Sequence, residues 1–102
     1  MTTVKVSTFR DSTDRLFRVI NVDYHACVGL GELRSWLGIA ERFLAEVSNL
    51  ECKRANEYDR SQHDRSIEAA RERLTVARER VATLELTDRE FESKPVQIKF
   101  LH

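Results

Sequence analysis

A chain of 102 residues has room for one small domain, compact at roughly 13 Å radius of gyration if globular. Apolar residues make up 41% and charged residues 33%, which excludes a disordered tail and leaves a modest core under a densely charged surface. Seventeen basic residues balance seventeen acidic ones, so net charge does not steer the chain towards nucleic acid. Cys27 and Cys52 are too few for a disulfide framework, and the start MTTVKVSTFRD lacks the pattern of a secretory signal. No apolar run approaches the length of a bilayer span, so a cytoplasmic location is expected.

In chain order, Val4 and Val6 alternate with Lys5 and Ser7, the polar stretch 10–15 has the length of a hairpin loop, and Ile20, Val22, Tyr24, Ala26 and Val28 alternate with polar residues. The spacing predicts a β-hairpin over 1–28. Gly29-Leu30-Gly31 then predicts a strand-to-helix turn that uses positive φ; as a phosphate-binding turn it lacks a third glycine and the Lys-Ser/Thr of a P-loop.

Residues 31–86 predict a helical hairpin. Its first arm carries a wide stripe that includes Leu33, Trp36, Leu37, Ala40, Phe43, Leu44 and Val47, and its second a seam of Ile67, Ala70, Leu74, Ala77, Val81 and Leu84. Between them, 51–66 has Tyr58 as its one large apolar side chain and reads as an exposed tip, with the second helix capped by Ser61 and Asp64. The competing reading joins both arms in one long helix that dimerises to hide its stripes. Thr87 to Glu90 forms a second capping box, and Pro95 opens a strand over 95–101 in which Val96, Ile98 and Phe100 alternate with Gln97 and Lys99. The expected fold is a single α+β domain over 1–102, in the order β-β-α-α-β: a three-stranded antiparallel sheet packed on a long antiparallel helical hairpin.

Chemistry is sparse. Asp23, His25 and Cys27 would project in a row from one strand, but neighbours two apart stand roughly 7 Å from each other, too far to converge on one ion. The row reads as the wet face of a sheet, and no metal, cofactor or catalytic residue is expected. Arginine outnumbers lysine thirteen to four, a bias that base composition of the genome also produces. With Ile67 at heptad position a, Arg71 and Arg78 fall at e while Arg73 and Arg80 fall at g. This flank opposes a parallel copy of itself and asks for an acidic neighbour, although long cations also shield intramolecular seams.

The expected function is a non-catalytic protein-interaction module, of the kind small phage or accessory proteins use to inhibit or bridge a larger complex. Its partner-binding residues are Arg54, Tyr58, Arg60 and Arg65 at the tip and Arg71, Arg73, Arg78 and Arg80 on the flank, because Tyr and Arg combine broad contact area with a directional polar end. A homodimer is compatible with this. Nucleic-acid binding by the Arg-rich helix is the second reading, and a minor enzyme built on Asp23, His25 and Cys27 the third.

Overall fold

The computed structural model describes the backbone of residues 1–93 and the side chains of residues 1–87, and within them the chain is almost wholly helical. A strand β1 (Thr2–Thr3) leads into α1 (Val6–Arg18), a π-helical turn (Val19–Asp23), α2 (Leu30–Ser48), a strand β2 (Leu50–Glu51) and α3 (Glu57–Ser93). The two strands pair in parallel, Thr2 with Leu50 and Thr3 with Glu51. Arg10 meets Asp59 while Arg73 meets Ile20, so α1 runs parallel to α3. Arg34 meets Glu85 while Val47 meets His63, so α2 runs antiparallel to α3. The result is an up-down-up bundle, 66 × 21 × 16 Å with a radius of gyration of 18.6 Å, longer than the compact shape expected for this chain length. None of its described helices is long and apolar enough to cross a membrane.

This overturns the three-stranded antiparallel sheet and the β-β-α-α-β order. The expected hairpin over 1–28 is α1 and the π-helical turn instead. Beneath the alternation of Ile20 to Val28 lies a helical stripe, Phe9, Thr13, Leu16, Ile20 and Tyr24, spaced three and four apart and all buried, whereas Val22 and Val28 are exposed. The polar stretch 10–15 lies within α1, mostly exposed, while Thr13 in its middle is buried and donates its hydroxyl to the Phe9 carbonyl at 2.9 Å. Gly29 caps α2 in an extended conformation (φ −122°, ψ 174°), and no described glycine has positive φ, so the expected left-handed turn is absent there.

The helical hairpin is present, with its reversal nearer the start of 51–66 than expected. Asn56 caps α3: its side-chain oxygen accepts the Asp59 N–H at 2.8 Å. Ser61 and Asp64 therefore lie inside α3, and Thr87 to Glu90 opens no new helix because α3 continues to Ser93. The segment read as an overhanging tip packs on α1, burying Asp59, His63 and Ser66. The seam expected from Ile67 to Val81 is buried against α2, with Ala70 and Ala77 fully covered and Leu84 partly so. The expected strand over 95–101 lies outside the described residues.

The π-helical turn locks the three helices together. Trp36 Nε1 of α2 donates to the Val19 carbonyl at 2.8 Å, and Arg73 Nε of α3 donates to the Ile20 carbonyl at 3.2 Å. Each neighbouring helix thus supplies a donor where the backbone ladder is widened. Tyr24, just after the turn, meets Trp36 edge-on at 5.0 Å, and Arg73 lies over its ring at 4.6 Å. A smaller apolar cluster of Phe9, Cys52 and Ala55 closes the end that carries the strands.

Candidate functional site

Parallel packing of α1 on α3 leaves a seam on one side of the bundle that α2 does not cover. Towards the strand end it opens into a cleft of about 450 Å³ lined by Arg10, Thr13, Asp14 and Phe17 from α1 and by Tyr58, Asp59, Gln62 and Ser66 from α3. Further along the same seam a second cleft, of about 250 Å³, is lined by Ile20, Asn21, Ala69, Glu72, Arg73 and Val76. The α3 positions 58, 62, 66, 69, 73 and 76 recur at helical spacing, so they form one face about 27 Å long at 1.5 Å per residue. Three apolar side chains on this face stand in solvent: Phe17 is 58% exposed, Tyr58 69% and Val76 48%.

Asp59 is the buried charge of the groove, with 6% of its surface exposed. Its Oδ1 accepts a hydrogen bond from Arg10 Nε at 2.9 Å, and its Oδ2 accepts none from the protein. The Arg10 hydrogen bond is the chief cause holding the Asp59 carboxyl below the ordinary aspartate value, against burial, which acts the other way. A carboxyl depressed in the folded state contributes stability that is complete above its unfolded value, about pH 4, and is lost as pH falls through the lower folded value. The melting temperature of the wild type should therefore fall more steeply below about pH 4 than that of Asp59→Asn, the gap between them closing in acid. Parallel acid dependences in thermal melts would show that the pair contributes nothing.

Next to it, His63 is buried and stacked on Phe9, ring centroids 4.5 Å apart. Its Nε2 lies 2.9 Å from the Val47 carbonyl, which can only accept, so Nε2 carries the proton. His63 thus ties the last turn of α2 to α3.

Of the residues expected to bind a partner, the structure gathers only some. Tyr58 lies in the groove, and Arg65 is exposed on the same helix. Arg54 is exposed beyond the groove, in an open hollow that it shares with Lys5 and Lys53. Arg60 turns back to the loop, donating to the carbonyls of Lys53 at 3.3 Å and Cys52 at 3.5 Å. On the arginine flank, Arg73 and Arg80 stand over Tyr24, and Arg78 pairs with Glu41 of α2 at 3.5 Å. All three make contacts within the fold, Arg73 half-buried and Arg78 and Arg80 exposed, and Arg71 is exposed as well. Asp23, His25 and Cys27 do not form a row, since Asp23 ends the π-helical turn and Cys27 follows it, its thiol donating to the Asp23 carbonyl at 3.5 Å. Burial pushes that thiol above its ordinary value, the direction opposite to an activated cysteine. Among the described residues no three His, Cys, Asp or Glu side chains group to hold a metal ion.

Sequence reasoning missed Phe17, Asp14, Asp59 and Val76. The signal that could have found Asp14 and Phe17 was the Phe9–Thr13–Leu16–Ile20 stripe, which makes 10–17 a helix and sets Phe17 beside the stripe. No protein-family model, no curated protein and no solved structure matches the chain.

Proposed function

We propose that the chain is a non-catalytic docking module whose α1–α3 groove receives an amphipathic helix of another protein. The observation that carries this reading is the line of exposed Phe17, Tyr58 and Val76 along one grooved face. A partner helix with apolar residues at i, i+3 or i+4, and i+7 would set its ridge between α1 and α3 and complete a four-helix arrangement. Solvated apolar rings beside buried polar groups are what such interfaces use as anchors, because covering them removes apolar area from water while the polar groups fix register.

Nucleic-acid binding by the arginine helix has less support, since Arg73, Arg78 and Arg80 are held by Tyr24, the Ile20 carbonyl and Glu41. The groove itself carries Asp14 and Asp59, which repel phosphate. Small phage or accessory proteins that inhibit or bridge a host complex are one setting in which a module of this size would serve. The test is the double variant Phe17→Ala/Tyr58→Ala, compared with Ser35→Ala on the exposed side of α2, against the partner recovered with wild-type protein. The groove variant should keep its melting temperature within about 3 °C and lose at least tenfold in affinity, as expected for two anchor side chains. Equal affinity in both variants would place the interface elsewhere.

A further inference from the structure

We infer that the basic hollow at the strand end of the bundle receives an acidic stretch of the protein whose helix docks in the groove. The inference rests on the docking reading for the protein that carries the stretch, and on the hollow alone for its chemistry. Parallel pairing of β1 with β2 builds the hollow. Thr2 stands beside Leu50 and Thr3 beside Glu51, and the Val4 N–H donates to the Glu51 carbonyl at 2.8 Å. The two strands therefore leave the sheet side by side and bring Lys5 and Lys53 to one place. Arg54 follows, and all three cations are exposed and line a hollow of about 830 Å³.

Three features select the occupant. Lys5, Lys53 and Arg54 are the charged members of the lining, with no acid among them, although the chain as a whole balances seventeen basic residues with seventeen acidic ones. Among the described residues no carboxylate pairs with any of the three, since the ion pairs engage Arg10, Arg34, His63 and Arg78 instead. Like charges gathered in this way repel each other, and an anionic segment laid between them removes the repulsion. The lining is also free of aromatic rings. Bases have nothing to stack on there, so a single strand of nucleic acid would be held by phosphate contacts alone, whereas an acidic peptide needs no ring and pairs its carboxylates with the ammonium and guanidinium groups. Finally, the hollow continues into the groove. Ser7 of the hollow lies three residues before Arg10 on α1, Arg54 lies four before Tyr58, and Arg10 and Tyr58 line the groove, so one chain can occupy both in succession.

The test titrates the full chain with an acetylated and amidated hexaglutamate peptide and follows backbone amide shifts by NMR. Hexaglutamine of the same form and a hexauridine RNA serve as comparisons. Hexaglutamate should give saturable shifts at Lys5, Ser7, Lys53 and Arg54 with about millimolar affinity, weakening severalfold between about 50 mM and about 200 mM salt, and hexaglutamine should give none. Lys53→Ala/Arg54→Ala should weaken hexaglutamate binding about tenfold or more and move the melting temperature by less than about 3 °C, since both side chains are exposed. Arg42→Ala, exposed on α2, should change nothing. Absence of saturable shifts at the hollow, equal binding of hexaglutamine, shifts spread over the cations of the other faces, or tighter binding of the RNA at the hollow would overturn the inference. With the recovered partner, Lys53→Glu/Arg54→Glu should lose affinity and flatten its dependence on salt, while Phe17→Ala/Tyr58→Ala loses affinity and keeps that dependence. Full affinity in the charge-reversed hollow beside a groove variant that still loses its partner would remove the acidic stretch and leave the docking groove standing.

Discussion

Trp36→Ala should lower stability by about 3–5 kcal/mol, the usual cost of deleting a large buried aromatic side chain. Trp36 is buried in the main core, meets Tyr24 edge-on, and donates to the Val19 carbonyl across 17 residues of chain. The substitution removes packing and also one of the side-chain donors that hold the π-helical turn. Trp36→Phe separates these effects. It keeps most of the ring and deletes the N–H, and the Val19 carbonyl still accepts from the Tyr24 backbone N–H. Its cost should be nearer 1 kcal/mol plus whatever the smaller ring loses in packing. Urea unfolding followed by circular dichroism measures both. Equal and small losses would mean that α2 does not pack on the π-helical turn as described.

Leu16→Ala should cost about 2–5 kcal/mol, and Phe17→Ala next to it less than about 1 kcal/mol. Leu16 has none of its surface exposed, whereas Phe17 is 58% exposed. Adjacent residues with so different a cost are diagnostic of the way α1 presents its faces. A small domain holds only about 5–15 kcal/mol in all, so Leu16→Ala consumes a large share and Phe17→Ala leaves the fold intact. That asymmetry also makes Phe17 a suitable probe of docking, since its loss can be read without loss of structure. Comparable destabilisation by the two substitutions in thermal melts would contradict the orientation of α1.

The second and third helices were legible in the sequence because their apolar residues repeat cleanly. Leu33, Trp36, Ala40 and Val47 face the core of α2, and Ile67, Ala70, Leu74, Ala77 and Val81 form the seam of α3. The first helix was not legible from alternation alone. Ile20 and Tyr24 fit a period of two and a period of four equally well, and the exposed Val22 and Val28 tipped the pattern towards a strand. The polar half of α3 was misread for a different reason. Asp59, His63 and Ser66 are buried with polar partners or in polar surroundings: Arg10 bonds Asp59, and His63 donates to the Val47 carbonyl. Burial of this kind depends on residues forty-nine positions apart in the chain, which no local pattern reveals. The groove was missed with it, because Phe17 and Tyr58 become neighbours only when α1 lies parallel to α3.

The docking face is tested most directly by placing a photo-crosslinking amino acid at Phe17, at Tyr58 and, for comparison, at Ser35, and irradiating the native cells. Phe17 and Tyr58 should both yield one adduct of the same mass to a second protein, and Ser35 should yield none. Adducts from Ser35 alone, or no preference between the two faces, would contradict an α1–α3 docking site; adducts only to a second copy of the chain would make the groove a self-association surface instead.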